Sequence, residues 1–135
     1  MLLEDGQRLV MIGDSITDCG RGRPVGMGEG LGNGYVRFVG SLLAARYPER
    51  GIEVLNTGLG GNRVTDLYER WQTDVMDLEP AWLSIMIGIN DVWRQFDDPP
   101  MENQVALDAY EQGLDRLLAR TRPQLKGLVL MTPYY

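Results

Sequence analysis

Apolar residues gather into four short runs along the chain, and each run is followed by glycine or polar residues. The runs extend from Arg8 to Ile12, from Ile52 to Asn56, from Trp82 to Ile87 and from Leu128 to Met131. Short, bulky apolar runs of this kind are typical of strands that are buried on both faces of a parallel sheet. We therefore predict four parallel strands.

Between these runs, apolar residues recur at steps of three and four positions, which is the spacing of amphipathic helices. The order β-α-β-α-β-α-β predicts an α/β fold with right-handed crossovers and helices on both faces of the sheet. The pattern places helices from about Tyr35 to Tyr47, from Val64 to about Met76 and from about Asn103 to Arg120. The residues expected to face the sheet are Tyr35, Phe38, Val39, Leu42, Leu43 and Tyr47, then Val64, Leu67, Tyr68, Trp71 and Val75, then Leu107, Tyr110, Leu114, Leu117 and Leu118.

Length and charge narrow the class of protein. A chain of 135 residues, 44% hydrophobic and 24% charged, fits one globular domain spanning residues 1–135. The net charge of −6 argues against nucleic acid or an anionic membrane as a partner. Because no signal-peptide pattern and no apolar run of roughly 20 residues occurs, we expect a cytoplasmic protein.

The chain contains no histidine and a single cysteine, Cys19. Ser-His-Asp catalysis and histidine-based metal sites are therefore excluded within these residues, and no intrachain disulfide can form. Without a histidine to activate it, Cys19 is a poor candidate nucleophile. We expect neither a metal nor an organic cofactor.

Three strand ends carry residues suited to acyl transfer: Gly13-Asp14-Ser15, Gly60-Gly61-Asn62 and Gly88-Ile89-Asn90-Asp91. In a parallel sheet these loops emerge on the same edge. Ser15 could attack a carbonyl there, while the backbone N–H groups of Ser15 and Gly61 and the side-chain NH₂ of Asn90 hold the oxyanion. The alternative is that Asp14 and Ser15 simply cap the next helical turn.

These three blocks resemble those of the SGNH (GDSL-type) hydrolases, whose serine, glycine and asparagine would be Ser15, Gly61 and Asn90. The resemblance implies a three-layer α/β/α fold with a flavodoxin-like parallel sheet. The segments Gly13 to Arg21 and Ile85 to Arg94 look most like the bacterial intracellular acetylxylan esterases of this family. The family's Asp-x-x-His block is absent, so we expect the N-terminal two-thirds of the fold, inactive on its own.

Other polar and aromatic residues are weaker candidates for a role in the reaction. Asp14 and Asp91 are expected to bond loop amides and shape the site rather than transfer protons. Trp93 could stack on a sugar or pack in a core or subunit contact. Arg63 and Arg94 are expected to form salt bridges or face solvent rather than meet substrate. The glycine-rich stretch from Gly20 to Gly34 contains no nucleotide-binding motif and favours a mobile loop.

The sequence thus predicts a serine esterase that removes short acyl groups, with acetyl groups on xylan-derived oligosaccharides as the favoured substrate. No nucleic acid or membrane partner is expected, and a homo-oligomer is compatible with the sequence. The competing interpretations are an SGNH domain that binds esters or sugars without turnover, a lipase or thioesterase of the same family, and a flavodoxin-like nucleotide binder.

Overall fold

Four parallel strands form one sheet in a computed structural model that describes residues 2–99 and 103–133. The strands are β1 (Arg8–Gly13), β2 (Glu53–Asn56), β3 (Trp82–Met86) and β4 (Gly127–Met131). Their order in the sheet is β2-β1-β3-β4, and Leu9 of β1 lies opposite Val54 of β2 and Trp82 of β3. The predicted parallel sheet is confirmed, with the four apolar runs at its strands.

Five α-helices connect the strands within the described ranges: α1 (Ser15–Asp18), α2 (Tyr35–Arg46), α3 (Val64–Asp74), α4 (Ile89–Trp93) and α5 (Leu107–Thr121). Short 3₁₀ turns lie at Gly28–Gly30, Pro48–Arg50, Met76–Leu78, Arg94–Phe96 and Arg122–Gln124. None of the helices in the described part of the chain has the length and apolar character needed to cross a membrane. The long helices agree with the predicted spans to within a few residues, whereas α1 and α4 were not predicted.

Apolar side chains pack on both faces of the sheet, which makes three layers. On one face, Val10, Ile12 and Leu83 contact the buried side chains of α3 and α5. On the other face, Leu9, Met11, Leu31, Val36 and Val54 form a second, smaller cluster beneath α2. The expected α/β/α arrangement is therefore confirmed.

The face that α2 turns to the sheet differs from the prediction. Phe38 and Leu42 are each 68% exposed, whereas Val36, which the periodicity did not single out, is fully buried. A Cβ at Gly40 would lie only 2.6 Å from Cδ1 of Leu31, so the helix approaches its neighbours through a glycine. A pattern of large apolar residues cannot locate such a contact, since glycine carries no hydrophobic signal.

Helix α5 begins at Leu107 rather than at Asn103, and Leu107 is 81% exposed instead of facing the sheet. The preceding Val105 is buried, and its carbonyl accepts a hydrogen bond from Nε2 of Gln95 at 3.2 Å. Burial of Val105 holds the backbone outside the helix at this point. Leu114 and Leu117 are buried as predicted.

Trp71 is the largest fully buried side chain, and its indole N–H donates to Oγ1 of Thr121 at 2.7 Å. This hydrogen bond links α3 to α5 and satisfies the one polar atom that the ring brings into the core. Trp82, also expected to be buried, is half-buried and lies against Gly127, where a Cβ would come within 2.2 Å of the ring.

Replacing Trp71 with alanine should therefore lower the free energy of unfolding by about 3–5 kcal/mol, through lost burial and the cavity left behind. Trp93→Ala provides a matched control, since Trp93 is 67% exposed and its loss should change stability by about 0.5 kcal/mol or less. Denaturant unfolding of the natural protein measures both values. Equal midpoints for the two variants would contradict this account of the core.

Candidate active site

The three predicted loops meet at the carboxyl edge of the sheet, around a pocket of about 340 Å³. The lining residues come from α1, from α4 and from the turn that follows α4; they are Ser15, Ile16, Ile89, Asn90, Trp93, Arg94 and Asp97. Gly60 and Gly61 lie beside the pocket, because a Cβ at Gly60 would be 3.9 Å from Cβ of Ser15 and one at Gly61 would be 3.8 Å from Nη2 of Arg94. The structure thus brings together the ends of β1, β2 and β3.

Ser15 is the first residue of α1, and its side chain is exposed to the pocket. Asp14 is the N-cap of this helix, since its Oδ1 accepts the backbone N–H of Ile16 at 3.0 Å. Burial raises the pKa of Asp14, and the N–H of Ile16 opposes that rise. The capping interpretation is therefore correct for Asp14, and the same cap fixes the turn that presents Ser15.

The backbone N–H groups of Ser15 and Gly61 have no acceptor within the described residues. The amides on either side of Gly61 are bonded, since the N–H of Gly60 donates to Oδ2 of Asp18 at 3.1 Å and the N–H of Asn62 donates to the carbonyl of Leu59 at 3.3 Å. Free amides among bonded ones are what an anion-binding turn requires.

Helix α4 supplies the asparagine and the second aspartate. Nδ2 of Asn90 donates to the carbonyl of Asn62 at 2.9 Å, which leaves its second N–H for another acceptor. Asp91 is buried, and its two carboxylate oxygens lie 3.1 and 3.2 Å from the N–H of Val64 at the start of α3. Burial raises the pKa of Asp91, and the bond from Val64 opposes that rise. This contact is the one expected of a site-shaping carboxylate.

Gly88 allows α4 to begin directly at the end of β3. Its φ is +128°, a conformation that residues with a side chain rarely adopt, and a Cβ here would lie 2.9 Å from Cγ of Pro133 and 3.1 Å from the hydroxyl of Tyr110. That hydroxyl donates to the carbonyl of Ile87 at 2.9 Å. The glycine of the third block is therefore required by the backbone and by its close neighbours.

The outer wall of the pocket is aromatic and charged. Trp93 is 67% exposed, so packing in a core of the described chain is excluded. Arg94 pairs with Asp97 at 3.5 Å beside the pocket, and Arg63 pairs with Asp66 while donating to the carbonyl of Asn103 at 2.6 Å. The salt bridges expected for Arg63 and Arg94 are present. Within the described ranges, no group of three or more His, Cys, Asp or Glu residues could hold a metal ion.

The sequence analysis missed several polar residues that hold these loops in place. Asn56 is fully buried, and its Nδ2 donates to the carbonyls of Thr17 and Leu31 at 2.7 and 2.8 Å. Arg21 is buried as well, with Nε donating to the carbonyl of Gly58 at 2.6 Å. These contacts fasten the glycine-rich stretch to the sheet, so it does not lie free as a mobile loop would.

Asp18 at the end of α1 contacts the second loop directly. Besides the N–H of Gly60, its Oδ2 accepts a hydrogen bond from Nη2 of Arg23 at 2.6 Å. Burial alone would raise the pKa of Asp18, but the bonds from Arg23 and Gly60 outweigh burial and lower it. Contacts of this kind join residues far apart in sequence, and no spacing rule reveals them.

Comparison with models of protein families identifies the family of this chain. A family model described as the GDSL-like Lipase/Acylhydrolase family matches residues 11–135, which include all three blocks. The chain belongs to the GDSL-like lipase/acylhydrolase family. The family recognised from the sequence is therefore confirmed.

Proteins similar to the chain include an acetylxylan esterase from Geobacillus stearothermophilus, which is 56% identical over 138 residues. The match covers 100% of the chain and 63% of that esterase. A crystal structure of the same esterase superposes on this structure with a TM-score of 0.95 at 55% identity. The superposition covers 100% of the chain and 63% of the esterase.

A second solved structure, an alpha/beta hydrolase enzyme from the metagenome of Lake Arreo in Spain, is 49% identical with a TM-score of 0.93. The match covers 100% of the chain and 64% of that hydrolase. The chain therefore spans less than two-thirds of the length of these two proteins. Over that span, their folds and its fold agree closely.

Proposed function

We propose that the natural protein is a serine esterase that removes acetyl groups from carbohydrates such as xylo-oligosaccharides, through an acyl-enzyme on Ser15. The observation that carries this proposal is the exposed hydroxyl of Ser15 in a pocket that it shares with Asn90, beside the N–H groups of Ser15 and Gly61, which have no acceptor in the described part of the chain. The identity to an acetylxylan esterase supports the choice of substrate.

In the proposed mechanism, Oγ of Ser15 attacks the carbonyl carbon of the acetyl ester while a base accepts the hydroxyl proton. The carbonyl oxygen becomes negative and is held by the N–H groups of Ser15 and Gly61 and by the side-chain NH₂ of Asn90. Collapse of the tetrahedral intermediate releases the sugar hydroxyl, which takes up the proton. Water then attacks the acetyl-serine by the same route and releases acetate.

The 135 residues of the chain contain no histidine that could act as this base. Asp14 and Asp91 are poorly suited to this role, because each accepts a backbone N–H and is buried away from the pocket. Catalytic mutants of the Geobacillus esterase carry an aspartate, a histidine or a serine changed to alanine. We therefore propose that an Asp–His pair activates Ser15 as well.

The wall of the pocket supports a polar alcohol group in the substrate. Trp93 offers an exposed aromatic face for a sugar ring, and Arg94 and Asp97 offer a donor and an acceptor for its hydroxyl groups. No broad apolar surface for a long acyl chain lines this pocket. A short acyl group on a sugar therefore fits better than a lipid.

The natural protein should release acetate from acetylated xylo-oligosaccharides and should prefer acetyl over octanoyl esters of the same alcohol, because an eight-carbon chain finds little apolar surface here. Measuring kcat/KM along a series of p-nitrophenyl esters from two to eight carbons checks the preference, with Ser15→Ala as the blank for contaminating esterases. A rise of kcat/KM through eight carbons, with acetylated sugars left intact, would favour a lipase or thioesterase instead.

Binding of esters or sugars without turnover is the second candidate function. Measuring both binding and acetate release distinguishes the two functions. A protein that only binds would show binding of acetylated xylo-oligosaccharides in a calorimetric titration, but it would release no acetate above the Ser15→Ala blank. Acetate release above that blank contradicts the binding-only interpretation.

A further inference from the structure

Arg70 lies on α3, and its side chain is just 13% exposed. The guanidinium reaches under the carboxyl edge of the sheet. Nη2 donates to the carbonyl of Gly13 at 3.0 Å, and Nη1 donates to the carbonyl of Thr57 at 2.5 Å. Arg70 therefore ties the end of β1, directly before Asp14 and Ser15, to the segment that follows β2.

The same guanidinium also contacts the loop that carries Gly61. Nε of Arg70 donates to Oδ1 of Asn62 at 2.6 Å. Asn62 follows Gly61, and its own carbonyl accepts the hydrogen bond from Nδ2 of Asn90 at 2.9 Å. One asparagine, held at its side chain by Arg70, thus fixes both the peptide next to Gly61 and the orientation of the Asn90 amide.

We propose that Arg70 is a positioning residue for the oxyanion site, acting through Asn62 on the donors at Gly61 and Asn90. The proposal rests on the function proposed above for Ser15, Gly61 and Asn90. Arg70 does not line the pocket, so it does not touch the substrate. Its effect on the reaction is to keep two donors from different loops at the place where negative charge develops.

The geometry explains why arginine stands at this position. A planar guanidinium directs five donors along fixed directions, and here its three acceptors lie in two segments, the end of β1 and the loop between β2 and α3. A lysine ammonium on a flexible stem cannot reach all three at once. Asp74, one turn later on α3, accepts Nη1 at 2.7 Å and offsets the charge of this mostly buried group.

Arg70→Lys and Asn62→Ala in the natural protein should each lower kcat for p-nitrophenyl acetate by roughly 10- to 100-fold, since donors displaced by a fraction of an ångström stabilise the transition state less. KM should change little, because the uncharged substrate depends less on these donors. The double variant should be no slower than Arg70→Lys alone, because both substitutions remove one shared contact. Arg116→Lys, on the exposed side of α5, is the matched control and should leave kcat unchanged.

Active-site titration with a serine-directed phosphonate distinguishes positioning from a general structural role. A structural role would reduce the fraction of molecules that can be titrated and would leave kcat per titrated site at the parent value. Positioning lowers kcat per titrated site. If Arg70→Lys fails to fold, Asn62→Ala still tests the proposal, because it leaves the bonds of Arg70 to Gly13 and Thr57 in place.

The proposal is overturned if kcat per titrated site is unchanged in Asn62→Ala, or if the effects of the two substitutions multiply in the double variant. If the function proposed for Ser15 is wrong, the result is different, because Ser15→Ala would then keep the activity of the parent. A dead Ser15→Ala variant together with fully active Arg70 and Asn62 variants would overturn the positioning role alone.

Discussion

Replacing Ser15 with alanine should abolish turnover of p-nitrophenyl acetate by the natural protein. Ser15 is exposed at the start of α1 and lines the pocket that also holds Asn90. Removing the hydroxyl removes the atom that forms the acyl-enzyme, and losses on the order of 10⁶ in kcat are typical of nucleophile deletions in serine hydrolases. Steady-state assays and labelling by a serine-directed phosphonate both measure this effect.

Two other serines provide controls for this experiment. Ser41 is exposed on α2 and does not line the pocket, and Ser84 is buried within β3. Ser41→Ala should retain both activity and labelling. Mass-spectrometric detection of the phosphonate on Ser41, with Ser15 unmodified, would remove Ser15 as the nucleophile.

Replacing Asn90 with alanine should lower kcat by roughly two to three orders of magnitude, the typical loss when one oxyanion donor is removed. The second N–H of its side chain is free to meet an oxyanion, since the first donates to the carbonyl of Asn62. KM should change little, because the charge that needs this donor develops only after substrate has bound.

Asn33→Ala is the matched control, since Asn33 is an exposed asparagine in the glycine-rich stretch and does not line the pocket. Its activity should equal that of the parent. An Asn90→Ala variant with the kcat of the parent would show that Asn90 only supports the loop at Asn62.

The strands and the three converging loops were predictable because local signals specify them. Bulky apolar runs mark β1, β2 and β3, and the parallel order of the elements places Ser15, Gly61 and Asn90 at one edge. The helix faces were less predictable, because α2 approaches its neighbours through Gly40, which has no side chain for a hydrophobic pattern to register.

The supporting polar contacts of the site were not predictable from the sequence. Asn56, Arg21 and Arg70 all donate to backbone carbonyls of distant segments. Every residue has a backbone carbonyl, so the acceptor in such a bond leaves no mark in the sequence. An arginine on a helix therefore looks like an ordinary surface charge until the fold shows what its guanidinium reaches.

Asn90 and Trp93 lie three residues apart on the five-residue helix α4, which is fixed at its start by Gly88. For an engineer who wishes to change the substrate range, this arrangement separates safe from unsafe changes. Side-chain libraries at Trp93, Arg94 and Asp97 alter the wall of the pocket and leave the backbone of α4 where it is. Insertions next to α4, or any side chain at Gly88, would displace the whole helix with Asn90 on it, and would therefore lower the rate as well as change the selectivity.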